Sequence, residues 1–252
     1  MDLILTIDQG NTAVKYSVFD DAGTLLRTAS TRVPDLDAIA SVISDSDIRG
    51  AIYASVAGLD VRFIESLRCL CSENLLVLTP HTPLPLKNSY ETPDTLGADR
   101  IAAAAGAVAL YPHSPILVAD AGSALTCDLI NDKGAFCGGI IAPGINMRMK
   151  ALNAFTSRLP LPEWNPCEEL TDFPRTTRQA IISGAVNGVA AQIRQAYLDA
   201  SASFPGCRLI ITGGDALPLS RSSLLSDLNP LCQPALVALG LNSIFRYNET
   251  LS

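Results

Sequence analysis

Two aspartates, Asp8 and Asp120, each stand at the end of a short apolar run and are each followed two residues later by a glycine and then by small hydroxyl or amide side chains. The first lies in LILTIDQGNT at 3 to 12, the second in PILVADAGSALT at 115 to 126, and Ile4, Leu5, Asp8 and Gly10 recur 112 residues on as Ile116, Leu117, Asp120 and Gly122. A strand-turn-strand with Asp-x-Gly at its turn exposes backbone N–H groups that a phosphate can approach because glycine leaves room, while Asn11, Thr12 and Ser123 add side-chain donors. The carboxylates suit hard cations or their bound waters, since a divalent ion on phosphates keeps oxygen ligands. One Asp-x-Gly alone is equally an ordinary turn in which the aspartate caps backbone groups. Two copies in matched context favour a pair of phosphate hairpins facing across a cleft.

Other chemistries find few residues. Two histidines, His81 and His113, are too scarce for a Ser-His-Asp triad and wrongly spaced for H-E-x-x-H zinc chemistry. No lysine follows a glycine and no G-x-G occurs, so the P-loop and the dinucleotide fingerprint are both missing. Seven cysteines, scattered and without C-x-x-C, read as reduced thiols. A net charge of −7 without a basic stripe speaks against a nucleic-acid partner. The longest apolar run, IAAAAGAVAL at 101 to 110, is far too short for a membrane span, and the N-terminus lacks a basic then apolar leader, so the expectation is a soluble, cytoplasmic protein.

The elements that must hold the two hairpins follow from hydrophobic period and turn residues. After the first strand, KYSVFD at 15 to 20 and TLLRTAS beyond the turn DDAG extend an antiparallel meander. AIASVI at 38 to 43 and VRFIESLRCL at 61 to 70 read as helices, and IRGAIYASVAG at 48 to 58 and LLVLT at 75 to 79 as strands. The prolines of TPHTPLPLKNSYETPDT forbid a helix, and one is expected from about Asp99 onward. From Pro115 the meander repeats, through the turn NDKG and AFCGGIIAPG. An irregular loop at 159 to 174 leads to a long helix, TTRQAIISGAVNGVAAQIRQAYLDASASF, with Ala180, Ile181, Val186, Val189, Ile193 and Tyr197 on one apolar face. RLIITGGDA supplies a strand with a glycine-rich exit that is expected under a nucleoside, and ALVALGLNSIFRY a closing helix. Three strands, a helix, a strand and a helix, twice, is the pattern of an α/β protein made of two tandem ribonuclease H-like domains, each a mixed five-stranded sheet with flanking helices. The expected division is 1–113 and 114–252, in the actin-like sugar-kinase and heat-shock ATPase architecture.

The ordered motifs then resemble one family. Asp8-Gln9-Gly10-Asn11-Thr12 with Lys15, Gly97-Ala98-Asp99-Arg100, Asp120-Ala121-Gly122-Ser123-Ala124 with Thr126, and Gly138-Gly139-Ile140-Ile141-Ala142-Pro143-Gly144 are similar to those of type III pantothenate kinases, over nearly the whole chain. The resemblance implies transfer of the ATP γ-phosphate to the primary hydroxyl of pantothenate, the first step of coenzyme A synthesis, with magnesium, a potassium or ammonium ion, and a homodimer. It implies that Asp8, Gln9, Gly10, Asn11, Thr12, Ala13, Val14, Lys15 and Ser123 bind ATP, with magnesium held by Asp8 through water. It further implies that Tyr90, Gly97, Ala98, Asp99, Arg100 and Thr177 bind pantothenate, that Asp99 is the catalytic base, and that Asp120 holds the monovalent cation. Ser123 stands where the family usually has threonine, which keeps the hydroxyl and drops a methyl.

Plainer roles stand beside these. Tyr90 can anchor a proline-rich loop, Asp99 can serve the dipole of a helix start, Arg100 can pair with a surface acid, and Lys15 can protect an edge strand. GGIIAPG reads as a turn packing the second hairpin. Two other functions remain open: a transcriptional accessory protein of the same family, and an actin-like polymerising ATPase, which would form filaments and need no Gly-Ala-Asp-Arg.

Overall fold

A computed structural model describes residues 3–43, 48–71, 74–168, 170–171 and 173–251 of the 252-residue chain. It divides into two compact units, one formed by Met1–Pro112 with Leu236–Ser252 and the other by His113–Ala235.

In the first unit, β1 (Leu3–Gln9), β2 (Val14–Phe19), β3 (Leu25–Thr31), β4 (Ile48–Ser55) and β5 (Leu75–Val77) form one sheet in the order β3-β2-β1-β4-β5. The β1–β2 and β2–β3 pairs are antiparallel, while β1–β4 and β4–β5 are parallel. A strand so enclosed is apolar on both faces. Leu3, Leu5 and Ile7 point one way, into a core closed by Ile39 and Val42 of α1 (Leu36–Ile43) and Phe63 and Leu67 of α2 (Val61–Leu70). Asp60 caps α2, its carboxylate accepting from the backbone N–H of Arg62 and Phe63 at 3.0 and 3.1 Å. The proline-rich stretch contains only the two-residue strand β6 (Lys87–Asn88) and a single 3₁₀ turn before α3 (Ala98–Leu110).

The second unit repeats the plan with β7 (Ile116–Ala121), β8 (Ala124–Ile130), β9 (Ala135–Pro143), β10 (Arg208–Thr212) and β11 (Leu231–Cys232) in the order β11-β10-β7-β8-β9. Its central strand again pairs antiparallel with the next in sequence and parallel with the later one. The same succession of two antiparallel and two parallel pairings gives both units the ribonuclease H-like arrangement. Leu117, Ala119 and Ala121 pack with Ile145 and Met149 of α4 (Ile145–Phe155), with α5 (Thr177–Ser203) and with α6 (Ala216–Ser220). Helix α4 was not expected; only Ile145 and Met149 are buried on it, too few anchors to give a visible period. On α5, Ile181, Val186, Val189 and Ile193 are buried as expected, but Ala180 is exposed because the first turn projects beyond the core. Within the loop at 159 to 174, Glu169 and Asp172 lie outside the described residues.

The closing helix corrects the expected division. The segment from 236 onward, including α7 (Leu236–Glu249), belongs to the first unit and not to the second. The reason is a backbone-close crossing of α7 with α3: a Cβ at Gly240 would lie 1.7 Å from the Ala102 carbonyl oxygen, and one at Gly106 2.4 Å from that of Leu236. The alanines of α3 thus serve close approach to α7. Arg246 then ties α7 to the β2–β3 turn, donating to the carbonyls of Asp20 and Asp21 at 2.6 and 2.8 Å.

Candidate active site

In the first unit Asp8 is the penultimate residue of β1, opposite Lys15 across the β1–β2 pair and beside Ala54 of β4. Four residues, Gly10 to Ala13, link the two strands, closed by the Gly10 N–H donating to the Ala13 carbonyl at 3.0 Å. Asn11 and Thr12 are exposed at the tip, as is Lys15. Val14 is buried in the core, so only its backbone is available to a ligand. Burial pushes the Asp8 carboxyl up from 3.8 to about 6; Lys15 pulls it down and Asp99 pushes it further up. The hairpin and the start of α3 therefore share one electrostatic environment.

Helix α3 begins directly after Gly97, with Ala98 and Asp99 in its first turn. The Asp99 side chain curls back so that its Oδ1 accepts the Arg100 N–H at 2.8 Å, and a Cβ on Gly97 would meet that oxygen at 2.5 Å. Glycine at 97 leaves room for the Asp99 carboxylate in this position. Arg100 is buried, with its guanidinium 5.5 Å from the centre of the Tyr90 ring, a cation–π contact. Tyr90 is itself fixed through its backbone N–H, which donates to Asn88 Oδ1 at 3.0 Å. Asp8, Lys15 and Asp99 are thus brought together, and Tyr90 with Arg100.

The second hairpin is one residue tighter. Ala121 and Leu125 are its last pair, and the Gly122 N–H donates to the Ala124 carbonyl at 3.0 Å. Ser123 is exposed at its tip. Gly144 reaches under it: its N–H donates to the Ser123 carbonyl at 3.2 Å, and a Cβ there would fall 2.2 Å from the Gly122 carbonyl oxygen. Gly139 lies as closely on Cys127 and Asp128. Residues 138 to 143 of GGIIAPG are the second half of strand β9, not a turn, and Gly139 and Gly144 pack it against the hairpin. Arg148 of α4 helps to hold it, donating to the Pro143 carbonyl at 2.9 Å.

Asp120 lies beside Thr212 of β10, and Gly213 (φ +92°) follows so closely that a Cβ on it would be 2.5 Å from Asp120 Oδ1. The Asp215 N–H donates to the Ala121 carbonyl at 3.0 Å, and burial raises the Asp215 carboxyl above its ordinary range. Sequence reasoning noted this glycine-rich exit but not the second carboxylate in it. Beyond it, Leu217, Arg221, Val186, Asn187 and Trp164 line a cavity of about 530 Å³. Thr177 is exposed at the first position of α5, which is capped by Thr176 accepting the Gln179 N–H at 3.3 Å. Sequence reasoning also missed Tyr53, whose hydroxyl meets Gln9; in a continuous apolar strand it carries no pattern that marks it.

The donors fit the groups that such a site takes. Asp8 presents a half-buried carboxylate whose charge burial disfavours, which a divalent cation would offset. Asp120 presents a half-buried carboxylate beside Gly122 and Gly213, an oxygen donor of the kind that a monovalent cation takes. Among the described residues, no helix is long and apolar enough to cross a membrane.

Residues 4–199 match the family model described as type III pantothenate kinase. Among curated proteins, the chain is 36% identical to a type III pantothenate kinase of Porphyromonas gingivalis, covering 98% of this chain and 100% of that one. It is 35% identical to that of Christiangramia forsetii over 98% and 99% of the two chains. Among solved structures it is similar to a conserved Baf family transcriptional activator from Campylobacter jejuni (TM-score 0.60, 24% identity, 98% and 99% covered). It is also similar to a ROK family glucokinase from Streptomyces griseus in complex with glucose and AMPPNP (TM-score 0.56, 11% identity, 97% and 98% covered). These two likenesses bear on the fold alone, whereas the sequence relationships identify the lineage: the chain belongs to the type III pantothenate kinase family.

Proposed function

We propose that the protein is a cytoplasmic enzyme that transfers the γ-phosphoryl group of ATP to the primary hydroxyl of pantothenate, giving 4′-phosphopantothenate for coenzyme A synthesis. The observation that carries the reading is the gathering of a cation-ready carboxylate, Asp8, a lysine, Lys15, and a second carboxylate, Asp99, around one glycine turn. Family membership supports the choice of acceptor.

In the first unit the backbone of Gly10 to Ala13, with Gln9, Asn11, Thr12 and Lys15, supplies donors for phosphates; in the second, the Ser123 hydroxyl is a donor of the same kind. Asp8 would hold magnesium through water, and Asp120 a potassium or ammonium ion. Magnesium, when bound, neutralises phosphate charge that the side chains alone leave uncompensated. The cavity beyond Asp215 suits the nucleoside. Arg100, beside the Tyr90 ring, is the cation proposed to meet the carboxylate of pantothenate. Thr177 contributes a hydroxyl, and Gly97 and Ala98 let the substrate approach the start of α3. With its Oδ1 engaged by the Arg100 N–H, Asp99 keeps Oδ2 for the acceptor hydroxyl. It takes that proton as the new oxygen–phosphorus bond forms and the bond from the γ-phosphorus to the bridging oxygen of ADP breaks. We further propose a homodimer, supported by apolar side chains that β9 and α4 leave exposed, Ile141, Met147 and Phe155 among them.

Mass spectrometry of a reaction containing ATP, pantothenate, magnesium and potassium tests the reading. One phosphoryl group should appear on pantothenate for each ADP formed. ADP with inorganic phosphate and unmodified pantothenate would overturn it.

A further inference from the structure

Tyr53 lies in the middle of β4, fully buried, with Phe63 packed edge-on against its ring at a centroid distance of 5.8 Å. It sits beside Ile7 of β1, so its side chain shares a sheet face with Gln9, two residues further along, and its hydroxyl donates to Gln9 Oε1. Burial raises the hydroxyl's pKa above the ordinary 10.0, so it remains a proton donor at neutral pH. The backbone at Gln9 is held as well, its carbonyl accepting the Val56 N–H at 3.0 Å. An amide whose oxygen is engaged by a fixed hydroxyl has one orientation left, with Nε2 and its two N–H donors turned away from Tyr53. Gln9 immediately precedes the turn Gly10 to Ala13. Its counterpart in the second hairpin is Ala121, which has no donor to orient.

We propose that Tyr53 is a positioning residue which, through Gln9, fixes an amide N–H donor on a phosphate oxygen of the bound nucleotide. The inference rests on the kinase reading of the first hairpin and adds to it a group outside the motif. It makes the β1–β4 pair part of the nucleotide site: a core tyrosine sets the direction of a half-buried amide. One hydrogen bond to a charged oxygen is worth about 10- to 100-fold in affinity, and losing only its orientation removes a part of that.

The test uses Tyr53→Phe, Gln9→Ala, the double variant and Gln9→Glu. Binding of a non-hydrolysable ATP analogue is measured by titration calorimetry without pantothenate, alongside KM for ATP, kcat and the thermal midpoint. Tyr53→Phe should weaken the analogue and raise KM by about 5- to 10-fold with kcat nearly unchanged, the signature of lost ground-state binding. Gln9→Ala should lose at least as much, and the double variant no more than Gln9→Ala alone. Gln9→Glu keeps an acceptor for Tyr53, so its thermal midpoint should hold while nucleotide binding falls further than in Tyr53→Phe. Wild-type binding by Tyr53→Phe, or losses that add in full in the double variant, would overturn the proposal. A wild-type protein that fails to bind the analogue would instead remove the nucleotide reading itself.

Discussion

Replacing Asp8 by asparagine separates the service its carboxylate gives to catalysis from what that charge does to the fold. Burial, reinforced by Asp99 and opposed by Lys15, raises the carboxyl from 3.8 to about 6. At about 1.4 kcal/mol per pH unit the rise corresponds to about 3 kcal/mol. Because the folded value lies above the unfolded one, the folded state holds the proton more tightly. The stability linked to that proton is fully present below about pH 4 and is lost as pH rises toward and through 6. Asp8 retains some contact with solvent, which trims the effect to roughly 1–2 kcal/mol. Asparagine is neutral throughout and nearly isosteric. The apo Asp8→Asn variant at pH 8 should therefore be more stable than wild type by that amount, or roughly 2–8 °C in thermal midpoint for a chain of this size. The gain should vanish near pH 4. Turnover should collapse in the same variant, because the proposed magnesium ligand is gone. Midpoints measured across pH 4 to 8 without nucleotide or magnesium check the reasoning. A variant less stable than wild type at pH 8, or one with the wild-type pH dependence, would refute it.

Asp99→Asn should lower turnover by about 10² to 10⁴ while the thermal midpoint and pantothenate binding change little; normal turnover with slightly reduced stability would reduce Asp99 to a helix-start residue. Asp120→Ala should lose most of the activation that potassium or ammonium gives over sodium, read as initial rates in the three salts, and an intact response would leave Asp120 as a turn residue. Gly240→Ala, whose new methyl would lie 1.7 Å from the Ala102 carbonyl oxygen, must part α3 from α7; it should cost about 3 kcal/mol or more, seen as a lower denaturation midpoint.

What the sequence made legible was local. The apolar run ending at Asp8 and its copy ending at Asp120 are both strand-and-turn signals within a dozen residues, and the repeat between them carried the two-sheet plan. Helix α2 was readable to its ends because Asp60 caps it and Phe63 and Leu67 lie one turn apart. What was hidden depends on distant partners. Nothing near Gly240 says that its neighbour is Ala102, so the closing helix was assigned to the wrong unit. Helix α4 rests on two anchors. Tyr53 and Gln9 meet only because β1 and β4 pair in parallel, 44 residues apart. Asp215 likewise reaches the second hairpin through pairing of β10 with β7. The candidate site was thus proposed from motifs, and the interactions that set the direction of each side chain were not legible.

The central claim is that ATP cleavage serves a pantothenate hydroxyl. Its most direct measurement is the initial rate of ADP release with magnesium and potassium present, with pantothenate added or omitted. The account predicts slow or no release without pantothenate and saturable, pantothenate-dependent turnover with it. An ATPase rate indifferent to pantothenate would contradict it.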